Sequence, residues 1–128
     1  MLFRSIIDDH FNPDISSLIL NYSLISLKQI EIGHDCFTVV DRFVIDGLNE
    51  LETIIIGRDS FYLDAKIREG SKCLIMNCDQ LNEIHFRYES FHGYESFELK
   101  NLPSLISIQW DSNTFEWCHR IVFESMND

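Results

Sequence analysis

No run of lysine or arginine occurs in this chain of 128 residues, and acidic side chains outnumber basic ones by 21 to 10. The formal net charge of −11 repels nucleic acid and anionic membrane surfaces on average, so neither is an expected partner. The surplus reads first as a solvated acidic surface that keeps the protein soluble. No apolar stretch approaches the roughly 20 residues that a membrane-spanning helix needs. The opening Met1-Leu2-Phe3-Arg4-Ser5-Ile6-Ile7-Asp8-Asp9 reaches paired acids too soon for a signal peptide. A reducing, cytoplasmic location is therefore the expected one.

Chemical motifs are equally scarce. The four cysteines, Cys36, Cys73, Cys78 and Cys118, match neither a CxxC pair nor a zinc framework. There is no Gly-rich phosphate loop, GxSxG elbow or HExxH. Cys118-His119 invites a nucleophilic reading, but adjacent residues seldom form a working pair, because the base normally arrives from elsewhere in the fold. His34, His85 and His92 fall at variable, outward positions and form no ligand set. No catalytic, cofactor-binding or metal-binding residue is assigned, and the chain is not read as an enzyme.

What the chain has in excess is phenylalanine, ten copies, and the excess is periodic. The segments Leu27–Phe37, Leu51–Phe61, Leu81–Phe91 and Leu105–Phe115 share the pattern L-x-x-I-x-Φ-x-x-x-[small]-F, where Φ is a large apolar residue. Their leading leucines lie 24, 30 and 24 residues apart. A second block follows each Phe: Phe43-Val44-Ile45, Cys73-Leu74-Ile75, Phe97-Glu98-Leu99 and Ile121-Val122-Phe123. Six extra residues between Tyr62 and Lys72 explain the longer spacing and read as a polar surface loop. A degenerate first unit places Ile6, His10 and Phe11 opposite Ile32, Cys36 and Phe37.

Repeats of this length signify a solenoid. Each block holds an alternating triplet rich in Ile, Val and Phe, the mark of a short strand with one face inward. Stacked copies pair edge to edge, giving two parallel sheets, or one sheet backed by extended turns. Gly33 and Gly57 fall where the chain turns after the first strand. Leu48 with Leu51, and Leu102 with Leu105, are spaced for single helical turns. The expected fold is an α/β-type repeat solenoid of mostly short parallel strands with little helix. It forms one domain over 1–128, about four repeats plus the degenerate N-terminal unit. No polar element caps the C-terminal end, so the chain reads as a piece of a longer array.

The segment Ile54-Ile55-Ile56-Gly57-Arg58-Asp59-Ser60-Phe61 resembles the I-x-I-G-x-x-[SA]-F signature of the BspA-like variety of leucine-rich repeats. The resemblance covers about residues 15–126. It implies a curved right-handed superhelix used for protein or ligand recognition, with no family-wide catalytic residues. The asparagine that commonly follows the strand in leucine-rich repeats is missing, which puts an asparagine ladder in doubt.

Two columns should face outward, because the middle residue of each triplet points away from its inward neighbours. The first holds Glu31, Ile55, His85 and Gln109; the second holds Val44, Leu74, Glu98 and Val122. The second is oddly apolar for a solvated face. Either neighbouring segments cover it, or it is a stripe that docks a partner. Trp110 and Trp117, with Tyr94 nearby, are the aromatic anchors expected of a contact surface. The cysteines mostly replace apolar or small repeat residues, so core packing is preferred to metal, redox or nucleophilic chemistry. The chain is thus expected to be a protein-interaction module, a recognition scaffold without catalysis. The alternative is a structural array element that associates end to end with its own copies.

Overall fold

The computed structural model describes residues 4–21, 26–64 and 68–126. Its chain winds through about five turns, each contributing one strand to either of two sheets. The first sheet has the order β1 (Arg4–Ile7), β3 (Gln29–Ile32), β5 (Thr53–Ile56), β7 (Glu83–Phe86), β9 (Ser107–Trp110). The second has the order β2 (Ser17–Asn21), β4 (Arg42–Asp46), β6 (Arg68–Met76), β8 (Tyr94–Leu102), β10 (Arg120–Met126). All neighbours are parallel, and the paired positions are those that the repeat aligns: Ile30 with Ile54 and Ile84, Phe43 with Cys73 and Phe97.

The two-residue alternation builds the core directly. Ile30, Ile32, Ile54, Ile56, Ile84 and Phe86 enter from the first sheet, and Phe43, Ile45, Cys73, Ile75, Phe97 and Leu99 enter from the second. A four-residue strand such as β5 cannot hold together alone; it is stable because the turns on both sides cover its edges. Among the described residues there is no helix, so the α/β expectation reduces to a parallel β-solenoid. The leucine pairs expected as helical turns form tight turns instead, closed by Leu51 N–H to the Leu48 carbonyl (3.1 Å) and Leu105 N–H to that of Leu102 (3.2 Å). Each pair spans only three residues before the chain enters the next strand, too short a stretch to repeat a helical bond.

Phe37, Phe61, Phe91 and Phe115 stack through the interior. Successive ring centroids are 5.3, 4.6 and 4.8 Å apart, with interplanar angles of 16°, 3° and 6°. All four residues lie in the left-handed backbone region, with φ of 56°, 54°, 58° and 54°. A bulky residue there carries a strain on the order of 1–3 kcal/mol. Ring burial returns roughly 1.5–3 kcal/mol, and each stacked pair about 0.5–1.5 more. The two sides are close enough that the conformation depends on rings above and below. Each Phe N–H also donates to the carbonyl one turn back, as Phe61 does to Cys36 (2.8 Å) and Phe91 to Ser60 (3.0 Å).

The small residue before each Phe does more than save space. Ser60 Oγ donates to the Gly33 carbonyl (2.7 Å) and accepts the Cys36 N–H (3.0 Å). Thr114 Oγ1 donates to the Arg87 carbonyl (3.2 Å), and Cys36 Sγ to that of Asp8 (3.1 Å). Gly57 is required by close approach: a Cβ there would lie 2.1 Å from the Gly33 carbonyl oxygen. An asparagine ladder does exist, but after the second strand. Asn101 donates to Asn77 (3.0 Å) and Asn77 to Asp46 (2.9 Å), and both asparagines have a left-handed φ.

Two features depart from the sequence-based expectation. The first unit is in another register: Ile7, not Ile6, pairs with Ile32, and Phe37 N–H donates to the Phe11 carbonyl. Phe11 therefore stands at the Cys36 position and Asn12 at that of Phe37. Asn12 acts as a polar cap there, donating to the Asp35 carbonyl (2.8 Å) and accepting from Thr38 N–H (2.7 Å). Alternation alone could not distinguish Ile6 from Ile7, because both neighbours are apolar. The expected loop is partly strand: 68–71 extend β6, with a register shift between Arg68 and Lys72 and a left-handed Gly70. Residues 65–67 of that insertion lie outside the described residues.

Phe61→Ala or Phe91→Ala should lower unfolding free energy by about 3–5 kcal/mol in denaturant titrations. Phe61→Gly should be at least as stable as Phe61→Ala, reversing the usual order of the two residues, because glycine occupies left-handed backbone without strain. An ordinary order, with Ala the more stable, would contradict the left-handed Phe column.

Candidate functional site

The register gathers Ile19, Val44, Leu74, Glu98 and Val122 into one column on the outer side of the second sheet. None of them joins the apolar cluster between the two sheets. Their accessibility is uneven. Ile19 is exposed and Leu74 and Val122 are half-buried, whereas Val44 is 6% and Glu98 4% exposed. Rungs of a parallel sheet lie only about 4.8 Å apart, so side chains in one column shield one another. The stripe is thus less open than alternation implies. On the first sheet the outer column is Ile6, Glu31, Ile55, His85 and Gln109. Ile55 and His85 are half-buried there, with His85 Nε2 3.4 Å from both carboxylate oxygens of Asp111.

Glu98 is the electrostatic centre of the second sheet's outer side. Lys100 Nζ approaches its carboxylate to 3.2 Å, Lys72 Nζ to 3.6 Å and Arg120 Nε to 3.9 Å. Burial works against the charged form, but the Lys100 hydrogen bond and the charges of Lys72, Lys100 and Arg120 outweigh it, and the carboxyl sits below its ordinary value. The sequence reading placed Glu98 in this column but missed the cations. Their signal was present: Arg42, Lys72, Ser96 and Arg120 occupy one register two residues before the column.

The aromatic anchors fall at the C-terminal end of the solenoid. Trp110 continues the inward column of Ile32, Ile56 and Phe86, yet it is 45% exposed because no turn covers it among the described residues. Ile121 and Phe123 likewise continue the inward columns of Phe97 and Leu99 and are 54% and 46% exposed. Trp117, in the turn before β10, is about half exposed. Tyr94 is not with them. It is fully buried, and its hydroxyl donates to the Val40 carbonyl.

His92, expected to face outward, is buried: its Nδ1 contacts the Leu63 carbonyl (2.9 Å), and its ring stacks on Tyr62 at 4.1 Å. The inserted segment supplies Leu63 and Tyr62, which is why the repeat pattern did not reveal this packing. His34 and His85 are half-buried, and no group of three or more metal-binding side chains occurs among the described residues.

All four thiols are free, and Cys36, Cys73 and Cys78 are buried. Burial pushes each thiol up, Cys78 to about 11 and Cys73 well above its usual value, so thiolate is scarce at neutral pH. No family model matches the chain, and no curated protein or solved structure matches it.

The charge network and the thiols each give a measurable expectation. A carboxyl held below its ordinary value contributes stability above its unfolded pKa, and loses it as pH falls through the folded one. The urea midpoint of the wild type should therefore drop on acidification below about pH 4.5, and less steeply in Glu98→Gln; parallel profiles would exclude Glu98 as a source of acid sensitivity. With a colorimetric thiol reagent at neutral pH, Cys118 should react first, and Cys73 and Cys78 only as fast as the protein unfolds.

Proposed function

We propose that this chain is a protein-interaction module, a recognition scaffold without chemistry of its own. Its kinship is with the BspA-like leucine-rich repeats, whose signature Ile54–Phe61 resembles. The observation that carries this reading is the C-terminal end of the solenoid. Three inward columns reach their last described rung on Trp110, Ile121 and Phe123, and Trp117 and Ile106 of the same turn are also exposed. Clustered apolar and aromatic side chains of this size are the composition of an interface core. In the first turn Asn12 replaces the stacking Phe and satisfies the backbone around it, while Ile6, Phe11 and Ile19 are exposed.

A second reading rests on the strand edges. Among the described residues, β9 and β10 have a neighbour on one side only, and so do β1 and β2. Unpaired parallel edges at both ends fit end-to-end stacking of copies, a structural array.

The two readings separate in one experiment. Sedimentation velocity over a wide concentration range is compared for the wild type and a Trp110→Ser, Phe123→Lys variant whose folding is checked by circular dichroism. A monomeric wild type that captures a single protein from lysate, lost in the variant, supports the recognition module. A sedimentation coefficient that grows with concentration, and stays small in the variant, supports the array. A monomer that captures nothing argues against both.

A further inference from the structure

On the outer side of the second sheet, Arg42, Lys72, Lys100 and Arg120 line one open hollow of about 510 Å³. Four of the chain's ten cationic residues thus meet on one face of a protein whose net charge is −11. Among the described residues two carboxylates line the hollow. Glu98 lies beneath Lys72, Lys100 and Arg120, and Glu95 accepts the Gly70 N–H (3.2 Å). Four cations against Glu95 and Glu98 leave the lining a formal surplus of two positive charges, with Glu124 one rung beyond Lys100; Lys72 and Lys100 are each 35% exposed, Arg120 66%, and Arg42 is exposed. Such charge is costly to concentrate unless an anion is met there, and Glu98 holds the cations in place for it.

We propose that this hollow binds an extended acidic segment of a partner protein. The neighbouring rungs decide in favour of a peptide. Leu74 and Val122 flank Glu98 on either side in the same column, both half-buried. An acidic peptide can lay carboxylates on the cations and apolar side chains on Leu74 and Val122. A nucleic acid offers phosphates but no aliphatic side chains, and its whole length meets the acidic remainder of the protein. The site shares β10 with the last turn but lies on the strand's outer side, where Arg120 and Val122 face away from Ile121 and Phe123.

The test is fluorescence anisotropy with a labelled peptide of alternating glutamate and leucine, at low ionic strength. Three proteins are compared: the wild type, Arg42→Gln with Arg120→Gln, and a charge-matched control, Lys28→Gln with Arg58→Gln, whose side chains are exposed outside the hollow. Arg42→Gln alone serves if the first pair does not fold. The wild type and the control should bind alike, and the Arg42/Arg120 variant should bind on the order of tenfold more weakly. Added salt should weaken binding by the wild type. The proposal is overturned if the peptide does not bind the wild type, if both variants lose binding equally, or if a single-stranded oligonucleotide binds more tightly than the peptide.

Discussion

The fold depends on one compromise, repeated in four successive turns. A phenylalanine is held at left-handed φ so that the chain can reverse direction after the first strand, and its ring stays in the interior on the ring one turn away. Neither half is stable alone, because a left-handed Phe is strained and a ring without a neighbour gains little from stacking. The compromise therefore works only in series. This makes each turn's stability a property of the adjacent turns, the physical meaning of a one-dimensional solenoid. The side chains of Cys36, Ser60 and Thr114, each just before a stacked Phe, donate to carbonyls one turn back, so at these turns the Phe stack and the small-residue column hold the same corner from two sides.

Much of this was legible in the sequence because the information is periodic. Aligning the units gave the inward columns, and the pairing of Phe43 with Cys73 and Phe97 follows from that alignment. The Phe spine followed as well. What could not be read was backbone conformation, since a Phe in a turn does not announce a positive φ. Register also failed where the pattern is degenerate. Two adjacent isoleucines, Ile6 and Ile7, satisfy alternation equally well, and only the pairing of Ile7 with Ile32 chooses between them.

The candidate surfaces were less legible than the core, for a related reason. Core columns repeat one residue type, whereas an outer column varies, so its meaning depends on the columns beside it. Reading Val44, Leu74, Glu98 and Val122 as a single stripe gave an apolar face with one stray acid. Reading the register two residues earlier turns that acid into the anchor of Lys72 and Arg120, with Lys100 joining from two residues after. Tyr94 turns inward onto Phe91 and Phe61 and donates to the Val40 carbonyl, and His92 is buried by the insertion at Tyr62 and Leu63; neither contact follows from the repeat alignment.

Glu98 also shows why a solenoid can separate architecture from recognition. Its neighbours along β8, Phe97 and Leu99, are core residues that every turn needs. Glu98 itself faces the other way, and the stacking of the core does not require a carboxylate there: Val44, Leu74 and Val122 occupy the same rung position. Substituting an acid for a hydrophobe at one rung costs desolvation, and that cost is recovered only because cations stand at the flanking registers. An isolated buried acid on that face would be a liability, whereas one ringed by lysine and arginine fixes long flexible side chains in a defined pattern. The alternation that keeps the interior uniform therefore leaves the outer face free to carry a charge pattern that differs from the rest of the molecule.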